Sequence, residues 1–109
     1  MYRATTPKHI FYFNVDPNET FEEILITYSQ AGKIILEKHK SDLTFDEKPG
    51  QYRKYGAWFR LTQEETKLFE DSYYNECDVQ VRVKTFTGEV VAGPVEKVTV
   101  KEVLNDEVL

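Results

Sequence analysis

The pattern that most limits the fold is the strict alternation of apolar and polar residues from Cys77 to Lys84. Cys77, Val79, Val81 and Val83 take every second position, and polar or charged residues fill the positions between them. Because successive side chains of a β-strand point to opposite faces, this period of two predicts a strand with one buried face and one solvated face. Such a strand needs partner strands beside it and an apolar layer against its buried face.

Further strands are predicted before this segment. His9 to Val15 is a run of aromatic and β-branched residues, and the turn formers of "DPNET" follow it. Phe21 to Tyr28 and Lys33 to Lys40 form a predicted hairpin, with Gly32 at a turn position that requires an unusual backbone conformation. The side chains expected to point inward from this hairpin are Ile24, Ile26, Tyr28, Ile34 and Leu36.

After the alternating strand, "TFTGE" places Gly88 where a hairpin loop would need it, and a valine-rich return strand follows. Gly93-Pro94 interrupts this strand, and since proline cannot donate a hydrogen bond to a neighbouring strand, the interruption indicates a sheet edge or a bulge. We expect a partner chain to engage at this edge or at the C-terminal segment "VLNDEVL".

The stretch "GAWFRLTQEETKLFE" changes from strand-like alternation to the start of a helix. Thr62 and Glu65 have the spacing of a capping box, in which each side chain accepts a hydrogen bond from the backbone N–H of the other residue. We therefore predict a strand that ends at Leu61 and a short helix near residues 62–70. Its buried side chains are expected to be Leu68 and Phe69.

These elements amount to about six to seven antiparallel strands with one short helix, which predicts a mainly β chain and an immunoglobulin-like β-sandwich. A length of 109 residues fits a single domain, residues 1–109. The two ends, residues 1–7 and 103–109, are expected to be flexible.

The charge balance argues against nucleic acid as a partner. Lys and Arg number 14 against 19 Asp and Glu, for a formal charge of -5, whereas binding to phosphates requires a dense positive face. Arg53 and Lys54, between Tyr52 and Tyr55, form the one basic and aromatic cluster, and it is too short to outweigh the acidic balance.

The number of cysteines and the N-terminal sequence indicate the cellular compartment of the protein. Cys77 is the only cysteine, so an intrachain disulfide and a four-thiolate zinc site are excluded. No secretion signal and no apolar run of membrane-spanning length are found, so we expect a cytoplasmic chain that has no membrane partner.

No catalytic, metal-binding or cofactor-binding residues are predicted, and we expect a protein that is not an enzyme. His9 and His39 each flank a strand run, and we expect both to be solvated. Cys77 and His39 could in principle form a catalytic pair, but the parity of Cys77 is that of a buried strand residue. Five scattered glycines form no phosphate-binding loop.

The aromatic residues are the best candidates for a binding surface. Those with no clear core position near the middle of the chain are Tyr52, Tyr55, Trp58, Tyr73 and Tyr74, which we predict as partner-binding residues. They could dock a protein or stack on sugars, and packing under the long loop is the structural alternative. The sugar-binding alternative expects Tyr52, Tyr55 and Trp58 to share one exposed face.

Four segments together look like a family of small, mostly unnamed proteins of prophages and mobile elements of Gram-positive bacteria. They are "LTQEET" (61–66), "VQVRVKT" (79–85), "TGEVVAG" (87–93) and the closing "VLNDEVL". The similarity runs from residue 4 to the last residue and contains no catalytic motif. Residues 41–55 depart from the pattern, because they carry extra charged and aromatic residues.

The family layout is distantly similar to the immunoglobulin-like N-terminal module of phage baseplate proteins. The resemblance implies a non-enzymatic structural or assembly module of a phage or prophage particle, with other phage proteins as partners and homo-oligomer formation left open. It also implies the bacterial cytoplasm before assembly and the virion afterwards. The alternative is a carbohydrate-binding β-sandwich module for cell-surface sugars, which would use its exposed aromatic residues.

Overall fold

The computed structural model describes residues 1–50, 53–70, 76–101 and 103–109. These residues contain eight strands, two one-turn α-helices and a 3-10 turn. In chain order they are β1 (Lys8–Phe13), α1 (Pro17–Thr20), β2 (Phe21–Gln30), β3 (Lys33–His39), the 3-10 turn (Lys40–Asp42), β4 (Thr44–Phe45), β5 (Tyr55–Arg60), α2 (Gln63–Thr66), β6 (Glu76–Thr85), β7 (Val90–Ala92) and β8 (Glu96–Thr99).

The strands form two antiparallel sheets, which confirms the predicted mainly β sandwich, with eight described strands where the sequence predicted six to seven. The smaller sheet has the order β1-β5-β4. The larger sheet has the order β3-β2-β6-β7, and β8 pairs with β6 beside β7. The alternating strand β6 lies in the interior of the larger sheet, since β2 lies on one side of it and β7 and β8 on the other.

The core lies between the two sheets at the end where β2 meets the aromatic residues of β5. Ile24, Ile26 and Tyr28 of β2 are buried as predicted, and the Tyr28 ring packs edge-on against Phe59 at a centroid distance of 6.3 Å. Phe69 packs against the same tyrosine at 5.8 Å. These rings fix how the smaller sheet lies on the larger one, because edge-to-face aromatic pairs hold a preferred geometry.

The prediction that Ile34 points inward is wrong. Its side chain is 58% exposed, because the register between β2 and β3 shifts next to the turn: Leu36 pairs with Tyr28, whereas Ile34 pairs with Ser29. Ile35 is the extra residue of this bulge, and a bulge of one residue reverses which side chains face the core. The adjacent turn has positive φ at both Ala31 and Gly32, as in a two-residue hairpin loop.

The change from strand to helix after β5 is present, but the helix is shorter than the predicted 62–70. Helix α2 ends at Thr66, and Leu68 N–H then donates to the Glu65 carbonyl, 3.1 Å away, in a tighter turn. Phe69 is buried as predicted, whereas Leu68 is exposed, contrary to the prediction. A short tight turn points these neighbouring side chains in different directions, so only one of them reaches the core.

The buried threonine of α2 joins the helix to the N-terminal segment. Thr66 is fully buried, its hydroxyl accepts a hydrogen bond from Thr5 N–H at 3.1 Å, and Thr5 and Gln63 carbonyls lie within hydrogen-bond distance of it. Buried polar groups need such partners. A polar residue therefore occupies the position where a capping helix often carries an apolar one.

Two further segments differ in detail from the sequence prediction. The "DPNET" segment, predicted as a turn, forms helix α1, with the Asp16 carboxylate accepting from Asn18 N–H at 3.0 Å. The return strand is divided at Gly93-Pro94 into β7 and β8, as the proline predicts, and Gly93 N–H still donates to the Val81 carbonyl at 2.8 Å.

Both chain ends make hydrogen bonds with the rest of the domain. The Met1 ammonium donates to the Thr99 carbonyl at 2.7 Å, and Lys101 N–H donates to the Met1 carbonyl at 2.7 Å. Near the other end, Leu109 N–H donates to the Gln63 side chain at 2.6 Å. The flexibility expected of residues 1–7 and 103–109 stays a prediction.

The capping box yields a prediction about stability. Thr62 Oγ1 accepts from Glu65 N–H at 3.1 Å, and Glu65 Oε1 accepts from Thr62 N–H at 2.9 Å. We expect Thr62→Ala to lower the free energy of unfolding by about 1 kcal/mol, since it removes an N-cap acceptor. Chemical denaturation measures this, with Thr62→Ser as the matched control that keeps the hydroxyl. Equal stability of the two variants would contradict the role of the cap.

Candidate functional site

An open groove runs between the free edge of β1 and the β6–β8 side of the larger sheet. Its volume is about 770 Å³, which lies within the usual range for binding sites. The wall is formed by the inward side chains of β1, and the floor by those of β6, β7 and β8. Its apolar lining includes Phe11, Phe13, Val81, Val83, Val91 and Val98.

The groove exists because the two sheets differ in width. The smaller sheet is three strands wide, whereas the larger one has β3, β2 and β6 followed by β7 and β8, which lie end to end along the same side of β6. Buried Val79 lies at the covered end of β6, but Val81 and Val83 are only half-buried. The apolar face predicted from the alternation is thus partly uncovered, and we call this surface the open groove.

One charged side chain lies on the floor of the open groove. Glu96 of β8 pairs with Val79 of β6, which in turn pairs with Tyr28 of β2, and cross-strand partners point to the same face of a sheet. Glu96 is exposed, and no ion pair or hydrogen bond of its carboxylate occurs within the described parts of the chain. The floor of the groove therefore presents one negative charge at the end nearest the start of β1. Lys8 also lines the groove at this end, and its ammonium lies over the Trp58 ring on the outer face.

The outer face of the smaller sheet carries a second cluster of aromatic and apolar residues. Trp58 pairs with Ile10, and Tyr12 lies on the same face, 64% exposed. The Trp58 ring is half-buried, and the Lys8 ammonium lies 4.1 Å from its centroid. This geometry is that of a cation–π contact. One face of the indole is therefore already occupied by a side chain of this protein.

Two of the five predicted partner-binding residues can be located, and they lie on opposite faces. Tyr55 is half-buried and pairs with Phe13, on the inward side of β5, whereas Trp58 points outward. The shared exposed face that the sugar-binding alternative expects of these two is therefore not formed, because three residues of separation reverse the direction in a strand. Tyr52, Tyr73 and Tyr74 lie outside the described residues.

The expectation that His9 is solvated is wrong. Its ring is partly buried between Tyr28 and Phe59, and His9 Nδ1 lies 2.6 Å from the Tyr28 hydroxyl. Burial lowers the pKa of His9, and the positive charge of the chain N-terminus adds a smaller effect in the same direction. Burial also raises the pKa of Tyr28 far above its ordinary value. The arrangement is a protonated tyrosine hydroxyl within hydrogen-bond distance of a neutral histidine.

A second polar contact lies near the same aromatic cluster. Lys38 Nζ and Glu65 Oε2 are 2.5 Å apart, and the lysine lies 5.8 Å from the centroid of Phe59. Burial alone would raise the pKa of Glu65, but the hydrogen bonds from Lys38 and Thr62 outweigh it, so the pKa is lowered. Glu65 thus links the capping box to β3 and has a structural role.

Cys77 and His39 do not form a catalytic pair. Cys77 is fully buried, and its neighbour Asp78 pairs with Ser29 near one end of β2, whereas His39 is exposed and pairs with Leu25 towards the other end. Burial raises the pKa of the Cys77 thiol to about 11. The group is therefore a protonated thiol at neutral pH, which is a poor nucleophile.

Two further statements hold for residues 1–50, 53–70, 76–101 and 103–109, the part of the chain that the structure describes. No cluster of three or more His, Cys, Asp or Glu side chains could hold a metal ion there. No helix in these segments is long and apolar enough to cross a bilayer.

The open groove was missed by sequence reasoning, although its parts were recognised. Val81 and Val83 have the same parity as buried Val79, so alternation alone assigns all three to the core. The one sequence feature that pointed to the groove was the break at Gly93-Pro94, which indicated a sheet edge or a bulge in the return strand beside β6. How far the opposite sheet reaches depends on β1–β5 pairing, which no local pattern encodes.

The chain was compared with protein-family models, with curated proteins and with solved structures, and none of the three comparisons gave a match. The resemblance to prophage proteins therefore stays a prediction, and the function is argued from the geometry of the open groove.

The His9–Tyr28 contact predicts a pH dependence of stability. The ordinary pKa of histidine is 6.5, and the folded chain lowers that of His9, so the unfolded chain binds the proton more readily and protonation favours unfolding. The stability contributed by neutral His9 is complete above pH 6.5 and is lost as the pH falls below that value. Glu65, with a lowered pKa, loses its contribution only below its ordinary value of 4.5.

We therefore expect the free energy of unfolding to fall between pH 7 and pH 5, and we expect His9→Gln to flatten this slope. The measurement is urea denaturation across that range, with His39→Gln as the control for an exposed histidine. The account would be contradicted by a slope that is unchanged in His9→Gln.

Proposed function

We propose that this chain is a non-enzymatic structural or assembly module of a phage or prophage particle, which acts through protein–protein contacts. The observation that carries the proposal is the open groove, an apolar strip beside an edge of β1 that pairs with none of the described strands. The resemblance of four sequence segments to small prophage proteins is the reason for proposing a phage or prophage particle. Under this proposal the chain is made in the bacterial cytoplasm and becomes part of the virion.

The apolar strip argues for a protein partner because of its shape and composition. Val91 is 53% exposed and Val98 half-buried, on the same inner face as Val81 and Val83. An apolar surface of this kind favours burial by about 25 cal/mol for each Å² removed from water. A partner that covers it would gain this free energy, and contiguous exposed apolar patches commonly mark interaction sites.

The strand edge beside the strip argues in the same direction. Natural sheets protect exposed edges with inward charges, prolines or very short strands. Strand β1 is six residues long, and the inward residues at its centre and end are Phe11 and Phe13. Lys8, at the start of β1, is the one charged residue of this edge, so the rest of the edge is open to pairing with another strand.

A pair of adjacent valines provides a direct test of the open groove. Val91 lies on its floor, whereas Val90 is the neighbour on the same short strand that points to the opposite face, and both are exposed. The chain would be co-produced with any phage structural proteins encoded beside its gene, and complex formation would be measured by light scattering and titration. We expect Val91→Glu to weaken binding at least tenfold, about 1.4 kcal/mol, and Val90→Glu to leave it within twofold.

Two results would count against the proposal. One is a chain that stays strictly monomeric at high concentration and binds none of the neighbouring structural proteins. The other is an equal loss of binding in the two valine variants, because a contact through the opposite face or a general loss of folding would then explain the effect.

Carbohydrate binding is the second candidate, and the outer face of the smaller sheet favours it. Exposed Tyr12 lies there with Trp58, and the Asp46 carboxylate lies against Gly56, which pairs with Tyr12. Rings and carboxylates are groups that bind sugars by stacking and hydrogen bonding. The Lys8 ammonium over Trp58 weighs against it, since a sugar would have to displace this side chain.

Tryptophan fluorescence discriminates between the two candidates, because Trp58 is the only tryptophan. Under the leading proposal we expect a flat titration across a panel of cell-wall glycans. A saturable shift with one glycan, which Tyr12→Ala removes and Val91→Glu leaves unchanged, would support carbohydrate binding and contradict the leading proposal.

A further inference from the structure

The free edge of β1 presents a definite set of backbone groups. Leu61 N–H donates to the Pro7 carbonyl at 3.0 Å, just before β1 begins. In an antiparallel pair the residues alternate between bonding their partner and pointing away from it. Every second residue after Pro7 therefore bonds β5, and the N–H and C=O groups of Lys8, Ile10 and Tyr12 point towards the free edge. Among the described strands β1 pairs with β5 alone.

The hydrogen bonds on the far side of β5 agree with this alternation. Asp46 N–H donates to the Gly56 carbonyl at 2.9 Å, so Gly56 bonds towards β4 and not towards β1. Its partner in β1 is Tyr12. Tyr12 and Gly56 are therefore a pair without mutual hydrogen bonds, which leaves the backbone of Tyr12 directed at the open edge.

The space beside this edge fits one extended chain. The larger sheet extends beyond β1 by the strands β7 and β8, which share one side of β6. A strand added to β1 would lie about 4.8 Å from it and about 10 Å above the larger sheet. Its inward side chains would then contact Val81, Val83, Val91 and Val98 of the floor, all of which line the groove.

The charge on the floor of the groove predicts which side chains the added strand carries. Glu96 lies at the level of Tyr28 in the larger sheet, and Tyr28 contacts His9 of β1. A residue opposite His9 would therefore face Glu96. Because a carboxylate covered by an apolar partner is costly unless it is paired, the side chain at this position should be basic. Residues opposite Phe11 and Phe13 would face valines and should be apolar.

We infer that β1 accepts one antiparallel strand from a partner protein, with apolar residues opposite Phe13 and Phe11 and a lysine or arginine opposite His9. This inference rests on the proposed function, in which the open groove binds a protein, and it adds the mode of binding, the register and the chemistry of the partner segment. Strand addition of this kind obtains affinity from main-chain hydrogen bonds and specificity from alternate side chains.

The probe is the acetylated and amidated peptide Val-Thr-Val-Thr-Lys-Thr, titrated to millimolar concentration into the isotope-labelled full chain. In the inferred register its six residues face, in order, Phe13, Tyr12, Phe11, Ile10, His9 and Lys8. Amide chemical shifts report binding site by site, and we expect saturable changes at Lys8, Ile10 and Tyr12.

Two N-methylated peptides separate strand addition from simple apolar binding. The backbone N–H of the fourth peptide residue points at Ile10, so its N-methylation should weaken binding at least tenfold. The N–H of the third residue, opposite Phe11, points away from β1, so the same modification there should change binding less than twofold. Equal effects of the two modifications, or no chemical shift change in β1, would overturn the inference.

Charge reversal tests the basic position. We expect Glu96→Lys to weaken the lysine peptide at least fivefold and to favour a peptide with glutamate in its place. The control is Glu89→Lys, which changes an exposed carboxylate outside the groove and should leave affinity within twofold. Equal affinities of wild-type chain and Glu96→Lys for both peptides would overturn the assigned register.

The outcomes also separate this inference from the proposed function. A neighbouring phage protein that binds the chain but is not displaced by the peptide would overturn strand addition and leave the proposed function intact. A peptide that binds as described, with no phage structural protein that does so, would remove the proposed function. A chain that forms dimers through β1 without peptide would show a second copy as the occupant and would overturn the inferred partner.

Discussion

The pairing of β2 with β6 provides the surface on which the other elements rest. Their register places Ile24, Ile26 and Tyr28 beside three valines of β6 on one face, so two long strands share a continuous apolar floor. The smaller sheet covers the β2 part of this floor through Tyr28 and Phe59. Because that sheet ends at β1, the rest of the floor is left for something else to cover.

Polar groups at the covered end tie the connecting segments to this core. The side-chain amide of Gln30 accepts from Glu70 N–H at 2.8 Å and donates to its carbonyl at 3.0 Å, and Thr66 holds Thr5 in a similar way. Buried amide and hydroxyl groups contribute rigidity when both their donor and their acceptor functions are hydrogen-bonded, even without an apolar contact. Hydrogen bonds therefore tie the connecting segments to the covered end of the sandwich.

Local patterns in the sequence predicted the elements whose causes are local. The alternation of β6, the capping box of Thr62 and Glu65, and the break at Gly93-Pro94 all follow from backbone geometry within a few residues. Ile34 was misplaced because a bulge depends on the partner strand. His9 was misplaced because its burial comes from Tyr28 and Phe59, which are distant in the chain. The groove depends on the relative width of two sheets, which is a property of the whole fold.

We expect the free edge of β1 to be open in the isolated chain and covered in the assembled one, and amide hydrogen exchange measures this directly. In the isolated chain we expect fast exchange at the amides of Lys8, Ile10 and Tyr12 and slow exchange at those of His9, Phe11 and Phe13, which bond β5. In the complex with its partner, the first three should become protected. Equal protection of both sets in the isolated chain, or continued fast exchange of the first set in the complex, would contradict the account.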